Sequence, residues 1–266
     1  MYKYIQTLVR RGLVLTGLLA IGAGMAAARE MTTDRPDGTE SPFTVPAGRV
    51  QLELDFVAFS RDREAVMRVT EWQVAPINLR FGVSQHFELG VLVAPHVVVA
   101  ETPPAGQRVR QAGFGDLTLR AKWNGAGNDE AVTMAWGLMA DLKLPTAADG
   151  LGNGRVEGAL ILPLAFALGR GWSGGAMTGV EWTRPAAGVN RAVWINTFVV
   201  GRDLTETVGG FLELTSATGD GAHVATFNFG LTLSLGPDLQ LDAGVNLGLS
   251  RSTPNLLLFA GLSRRF

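Results

Sequence analysis

Residues 225–250 read ATFNFGLTLSLGPDLQLDAGVNLGLS. From Ala225 to Leu235 the odd positions are Ala225, Phe227, Phe229, Leu231, Leu233 and Leu235, separated by Thr226, Asn228, Gly230, Thr232 and Ser234. Beyond Gly236-Pro237-Asp238 the alternation resumes, with Leu239, Leu241, Ala243, Val245, Leu247 and Leu249 against Gln240, Asp242, Gly244, Asn246, Gly248 and Ser250. Successive side chains of a strand point to opposite faces, so this is a hairpin with one apolar and one polar face. Soluble strands run to about 5–6 residues, whereas a tilted strand crossing a bilayer needs about 9–11. These two are of the longer kind and predict a transmembrane β-barrel.

The same alternation recurs along the chain. Val50, Leu52, Leu54 and Phe56 oppose Gln51, Glu53 and Asp55; Leu117, Leu119, Ala121 and Trp123 oppose Asp116, Thr118, Arg120 and Lys122. Strands are expected near 49–60, 67–82, 87–97, 114–124, 131–145, 156–168, 174–184, 191–201, 207–216, 223–235, 239–250 and 255–266. About twelve antiparallel strands in up-and-down order follow, with short turns alternating with longer connections, as in outer-membrane barrels with short periplasmic turns. Val98–Ala112 is expected to be one of the long external loops. Pro76 and Pro163 fall inside strands, where their missing donors predict bulges. Trp123 and Phe87 near the turns, and Trp182 and Trp194 near the loops, are candidates for interfacial belts.

The chain has 266 residues, 47% hydrophobic and 18% charged, and no cysteine, which removes disulfides and thiolate chemistry. Residues 1–28 read as an export signal, with Lys3, Arg10 and Arg11, an apolar stretch from Gly12 to Ala23, and a small-residue site at Ala26-Ala27-Ala28. Its removal leaves 20 basic side chains against 24 acidic ones, net −4, with no basic stripe for nucleic acid. Residues 29–48 form an irregular leader, and 49–266 the barrel.

Residues 33–53, TDRPDGTESPFTVPAGRVQLE, resemble the N-terminal signature of the outer-membrane proteins named after the meta-cleavage pathway of phenol degradation. A softer likeness covers Asn78–Val83, Phe87–Val91, Gly115-Asp116 and the terminal Phe266. The resemblance implies an outer-membrane barrel that passes small compounds, hydrophobic and aromatic ones among them. The last strand, ending on Phe266, resembles the signal by which such barrels meet the barrel-assembly machinery; Arg264 departs from it, standing where that signal has an apolar residue.

The inward face carries the candidate lumen residues Glu53, Asp55, Glu88, Asp116, Arg120, Lys122, Asp141, Lys143, Glu157, Glu181, Glu213 and Asp242. They either line an open pore with an acidic excess that favours cations, or pair with one another in a closed interior. Expected pairs are Asp116 with Lys143 and Glu53 with Arg265. Asp34, Arg35, Asp37 and Glu40 give the leader charges to fold into the lumen, with Arg35 meeting inward acids, or to lie along the periplasmic rim.

No cofactor and no metal are implied. Outer-membrane lipids and a small solute are the expected partners. An enzymatic alternative is a lipid-modifying barrel using Ser216 and His223, which the alternation puts across one hairpin on the lipid face, though no third orienting residue is evident. A purely structural or interaction role is the third reading. Gly150–Gly154 lacks the strand-then-helix context of a phosphate loop and reads as an external loop.

Overall fold

The structure is a computed structural model describing residues 31–63, 67–128, 133–184, 190–219 and 221–266. The export signal lies outside the described residues. Twelve strands form the wall: β1 Val50–Arg63, β2 Arg68–Val74 with Ile77–Gly82, β3 Phe87–Val93 with His96–Thr102, β4 Val109–Gly113 with Leu117–Ala126, β5 Met134–Leu144 and β6 Glu157–Gly169. The remainder are β7 Trp172–Thr183, β8 Arg191–Asp203, β9 Val208–Gly219, β10 Ala222–Ser234, β11 Leu239–Gly248 and β12 Leu256–Arg265. Each pairs antiparallel with the next, and β1 pairs with β12 from Gln51↔Arg265 to Arg61↔Leu256. The barrel is closed, so no edge is left unpaired.

The sidedness is that of a membrane barrel. Apolar side chains stand exposed on the outer wall, among them Leu160 (53%), Phe198 (54%), Leu212 (57%) and Leu231 (55%). The residues alternating with them are inside: Glu53, Arg80, Glu88, Lys122 and Glu213 are each at most 1% exposed. Water would not tolerate such a continuous apolar band, whereas hydrocarbon requires it. β9, with 12 residues, runs about 40 Å at about 3.3 Å per residue. At a tilt of about 40° that spans about 30 Å, the thickness of the hydrocarbon core. Trp123, Trp172, Trp182 and Trp194 all point outward near strand ends, so aromatic side chains mark both interfaces.

One line across the wall breaks this pattern. In β1 the inward positions are Gln51, Glu53 and Asp55, then Ala58, Ser60 and Asp62; in β2 they are Val69, Glu71 and Gln73, then Asn78, Arg80 and Gly82. In β3 they pass from Glu88, Gly90 and Leu92 to Val97 and Val99. Each strand thus exchanges its odd and even faces at Phe56, at Ala75-Pro76 and at Ala94-Pro95, positions that the registers place side by side. Gly115 continues the line in β4. Pro76 has no donor and Ala75 adopts φ 50°, so the ladder is irregular there, although the Asp55 N–H still donates to the Pro76 carbonyl (3.0 Å) and the Ala75 N–H to that of Phe56 (3.3 Å). Pro76 is therefore a two-residue interruption, while the one-residue shift expected of a bulge falls between β1 and β12, at Asp55/Val57.

Two expectations are corrected. Pro163 makes no bulge: β6 keeps register with β5 from Trp136↔Leu164 to Met139↔Ile161. The proline lies at the level where Gly137 and Leu138 drop out of the ladder, so its missing donor interrupts the pairing locally without a shift. Val98–Ala112 is mostly strand, since β3 continues to Thr102 and pairs with β4 from Val97↔Gly113 to Glu101↔Val109. Val97, Val98 and Val99 are strong strand formers, but the exchange of faces at Pro95 hides their alternation. The β5–β6 connection folds inward instead of flopping outside. Leu151, 1% exposed, packs on Val69, Val97 and Val99 at the outer mouth.

Candidate functional site: the plugged lumen

The leader runs through the interior, and the inner wall is built to receive it. Asp34 sits among three cations of the wall, 2.5 Å from Lys122 Nζ, 3.4 Å from Arg80 Nη1 and 3.7 Å from Arg120 Nη1. Burial alone would raise its carboxyl, but Arg80, Lys122 and Arg120 outweigh that and hold it at about 2. One residue on, Arg35 donates to both oxygens of Asp242, at 2.5 and 3.3 Å, and lies 2.7 Å from Asp55. Its guanidinium also sits 5.7 Å from the ring centre of Phe259. Burial would lower the Arg35 pKa, but the two aspartates raise it further above its ordinary value.

Further along, the Gly38 N–H and the Thr39 hydroxyl donate to Glu213 at 2.9 and 2.6 Å. Glu40 accepts a two-pronged pair from Arg120, at 2.7 and 2.9 Å, the strongest geometry for such an ion pair. Asp37 lies against the same group of acids. Burial, followed by the charge of Glu213, pushes its carboxyl well above the usual range.

Toward the periplasmic end the leader is held by its backbone. The Pro42 carbonyl accepts from Asn124 (3.0 Å), the Phe43 carbonyl from Arg80 (2.9 Å), and the Val45 N–H donates to Glu88 (2.7 Å). Gly82 lets the chain pass here: a Cβ on it would stand 2.2 Å from the Pro46 carbonyl oxygen and 2.4 Å from that of Val45.

The wall cations also have partners within the wall. Arg80 bridges Glu53 (2.7 Å) and Glu88 (2.9 and 3.0 Å), and Arg120 grips Asp141 (2.8 and 3.0 Å). Lys143 lies 3.1 Å from Asp116 and 2.6 Å from Glu157, with Asn153 of the β5–β6 loop bonded to both Lys143 and Glu157. Asn228 donates to Glu213. The twelve lumen candidates all lie on the inner wall, Glu181 included, and every one but Asp55 is at most 8% exposed.

The expected Glu53–Arg265 pair does not form. Glu53 stands opposite Ser263 and is taken by Arg80, while Arg265 reaches Asp238 in the β10–β11 turn at 2.6 Å. Ser216 is not the partner of His223 either, whose Nδ1 lies 3.0 Å from Thr218 Oγ1.

Two cavities flank the Arg35–Asp55 pair. The outer one, of about 200 Å³, is bounded by Phe59, Phe259, Leu257, Glu71 and Asn246 as well as Arg35 and Asp55. The inner one, of about 170 Å³, is bounded mostly by charged side chains, Asp34, Arg35, Glu40, Glu53, Asp55 and Arg120, with Pro76, Ile77 and Leu92 as its apolar part. A cavity of about 150 Å³ admits benzene, so each has room for one aromatic ring. The inner cavity abuts the line of broken pairing at Pro76.

A closed twelve-stranded barrel with an apolar exterior and a charged, plugged interior invites comparison with known proteins. The sequence profile of the family described as "Putative MetA-pathway of phenol degradation" matches residues 33–266. The chain belongs to this family. Among solved structures, an outer-membrane channel of Pseudomonas putida F1 is similar, with TM-score 0.64 and 15% identity over 84% of this chain and 97% of that one. The β domain of the Bordetella autotransporter BrkA (TM-score 0.53, 14% identity, 83% and 100% covered) and the NanC porin (TM-score 0.52, 10%, 80% and 98%) share the fold. No curated protein matches the sequence. Family, fold and apolar exterior together make this an outer-membrane β-barrel.

Proposed function

We propose that this family member is a channel of the outer membrane for small hydrophobic or aromatic compounds, closed at rest by its own leader, and not an enzyme. In this reading residues 1–28 direct export and are removed, residues 29–48 are the plug, and the final strand ending in Phe266 is read by the barrel-assembly machinery. The carrying observation is the Arg35 crossbar, which separates two ring-sized cavities inside a wall otherwise filled by paired charges. A wet, acid-lined pore would desolvate poorly around a nonpolar solute. A side entry fits better: the irregular ladder at Ala75-Pro76 lies beside the inner cavity, whose apolar part is Pro76, Ile77 and Leu92.

The test is planar-bilayer conductance and uptake of radiolabelled phenol by proteoliposomes, using the mature chain and a variant lacking 31–44. The channel reading requires phenol uptake above protein-free vesicles by the intact chain and larger ion conductance in the deletion. Unchanged conductance in the deletion would remove the plug; absence of uptake in both would remove the solute class.

A further inference from the structure

We propose that the outer surface at the extracellular ends of β1–β4 is a docking site for the phosphate groups of lipid A in the outer leaflet. Phe59 and Trp72 are register partners, their rings 4.5 Å apart, and Trp72 is 44% exposed on the lipid side. Two residues further toward the cell exterior, on the same faces, the aligned positions are Arg61, Thr70, Ala100 and Arg110. The next aligned row holds Arg68 and Thr102, and Arg108 immediately precedes β4.

Two residues of strand rise by about 6.7 Å, or about 5 Å along the membrane normal after tilt. Aromatic belts mark the hydrocarbon boundary, and the headgroup region beyond it is about 5–8 Å deep. The arginine rows therefore stand at the depth of the lipid phosphates.

Charge completes the fit. Arg68, Arg108 and Arg110 are exposed, and the nearby acids Asp62 and Glu101 belong to the opposite, lumen-facing set. Arg61 is half-buried, with its Nε enclosed by the protein. Exposed planar guanidinium groups at headgroup depth match a phosphate in both geometry and charge. Nothing in the channel reading uses these side chains. β1–β4 are also the strands crossed by the Pro76 line, so a phosphate clamp here would steady the part of the wall whose ladder is interrupted.

A basic side chain near an anionic lipid surface contributes about fivefold to binding. The mature protein in zwitterionic detergent, titrated with bisphosphorylated lipid A, should therefore bind about 30-fold more weakly as Arg68→Gln/Arg110→Gln, with Trp fluorescence as the readout. Arg155→Gln/Arg251→Gln, altered on other external loops, should change binding less than threefold. Dephosphorylated lipid A should not bind the parent tightly, and 10 mM inorganic phosphate should not displace the lipid. Wild-type affinity in Arg68→Gln/Arg110→Gln, equal binding of the dephosphorylated lipid, or full displacement by inorganic phosphate would each overturn the proposal. Should the double variant lose heat-modifiable gel migration, Arg108→Gln, outside the ladder, decides the matter: fivefold weaker binding supports the site and unchanged binding refutes it.

Discussion

Replacing Asp34 by Asn tests whether the leader is a latch. Asp34 is the one leader acid that meets three wall cations, Lys122 at 2.5 Å, Arg80 at 3.4 Å and Arg120 at 3.7 Å. Removing one partner of a buried ion pair costs about 3–5 kcal/mol, because the charge left behind is desolvated and uncompensated. Here the lower figure applies, since Arg80 keeps Glu53 and Glu88 and Arg120 keeps Asp141 and Glu40. About 3 kcal/mol shifts the balance between seated and released leader by about 100-fold, at about 1.4 kcal/mol per decade. Single-channel recording should show brief closed-to-open transitions in the parent and an open fraction about 100-fold higher in Asp34→Asn. The variant lacking 31–44 sets the fully open level. Both should retain heat-modifiable migration, because Arg80, Arg120 and Lys122 keep wall acids as partners without the leader. If Asp34→Asn gates like the parent while the deletion is open, the latch lies elsewhere in the leader and the weighting of the three-cation contact is wrong.

Three other outcomes follow from the same geometry. Arg35→Gln removes the crossbar between the two cavities and should raise the flux of ring-sized neutral solutes several-fold in liposome-swelling assays; unchanged swelling would show that the barrier lies below, near Phe43 and Val45. Gly82→Ala places a methyl 2.2 Å from the Pro46 carbonyl oxygen, and every near contact is leader backbone. It should increase hydrogen exchange at 44–48 and leave the strand ladder protected. Acidification should also free the leader: the Asp34 pKa falls from 3.8 to about 2 on seating, so the charged form contributes about 2 kcal/mol above pH 4, lost as pH drops toward 2. Asp37 acts in the opposite sense, its raised pKa weakening the seat as pH climbs above the ordinary carboxylate value of 3.8. Conductance should therefore be lowest at mildly acidic pH and rise below 4; a flat profile from pH 6 to 3 refutes the Asp34 assignment.

Most strands from β5 to β12 were legible because one rule, alternation, held along them, as in Phe227–Leu247 of the quoted hairpin; β6, an unbroken apolar run from Ala159 to Leu168, is the exception. The rule failed where the wall changes faces. Val97–Ala100 is an apolar run whose period is interrupted at Ala94-Pro95, so its extension to Thr102 left no alternating trace. The lumen side chains were legible as a set but not as pairs. Register alone puts Glu53 near the β12 seam, but side-chain reach gives it to Arg80 on the other neighbour. Gly82 carried a signal of the leader's path: a glycine facing inward on a strand marks a close approach of another backbone. Reading it required knowing which face was inside after Pro76.

The charges of the interior also bear on how a nonpolar solute crosses. Buried ion pairs are weak sources of stability, and apolar side chains of similar volume would pack as well or better. Their contribution here is to separate two kinds of contact. Arg80, Arg120 and Lys122 each face wall acids on one side and the leader on the other, so the leader can leave without stripping these three cations of their partners, whereas Asp55 and Asp242 then lose Arg35. Such a network suits reversible seating of a plug. It does not suit passage of a benzene-sized molecule, which would have to displace hydrogen bonds it cannot replace. The cavity beside Pro76, Ile77 and Leu92 reduces that exchange on its apolar side, though Asp34, Glu40, Glu53 and Arg120 line the rest of it. It lies where Pro76 has already removed a ladder donor and where the wall changes faces. A solute entering there needs Arg35 to yield, and Arg35 belongs to the leader. Plug and side wall are then one device: the crossbar that closes the lumen also closes the route in from the membrane.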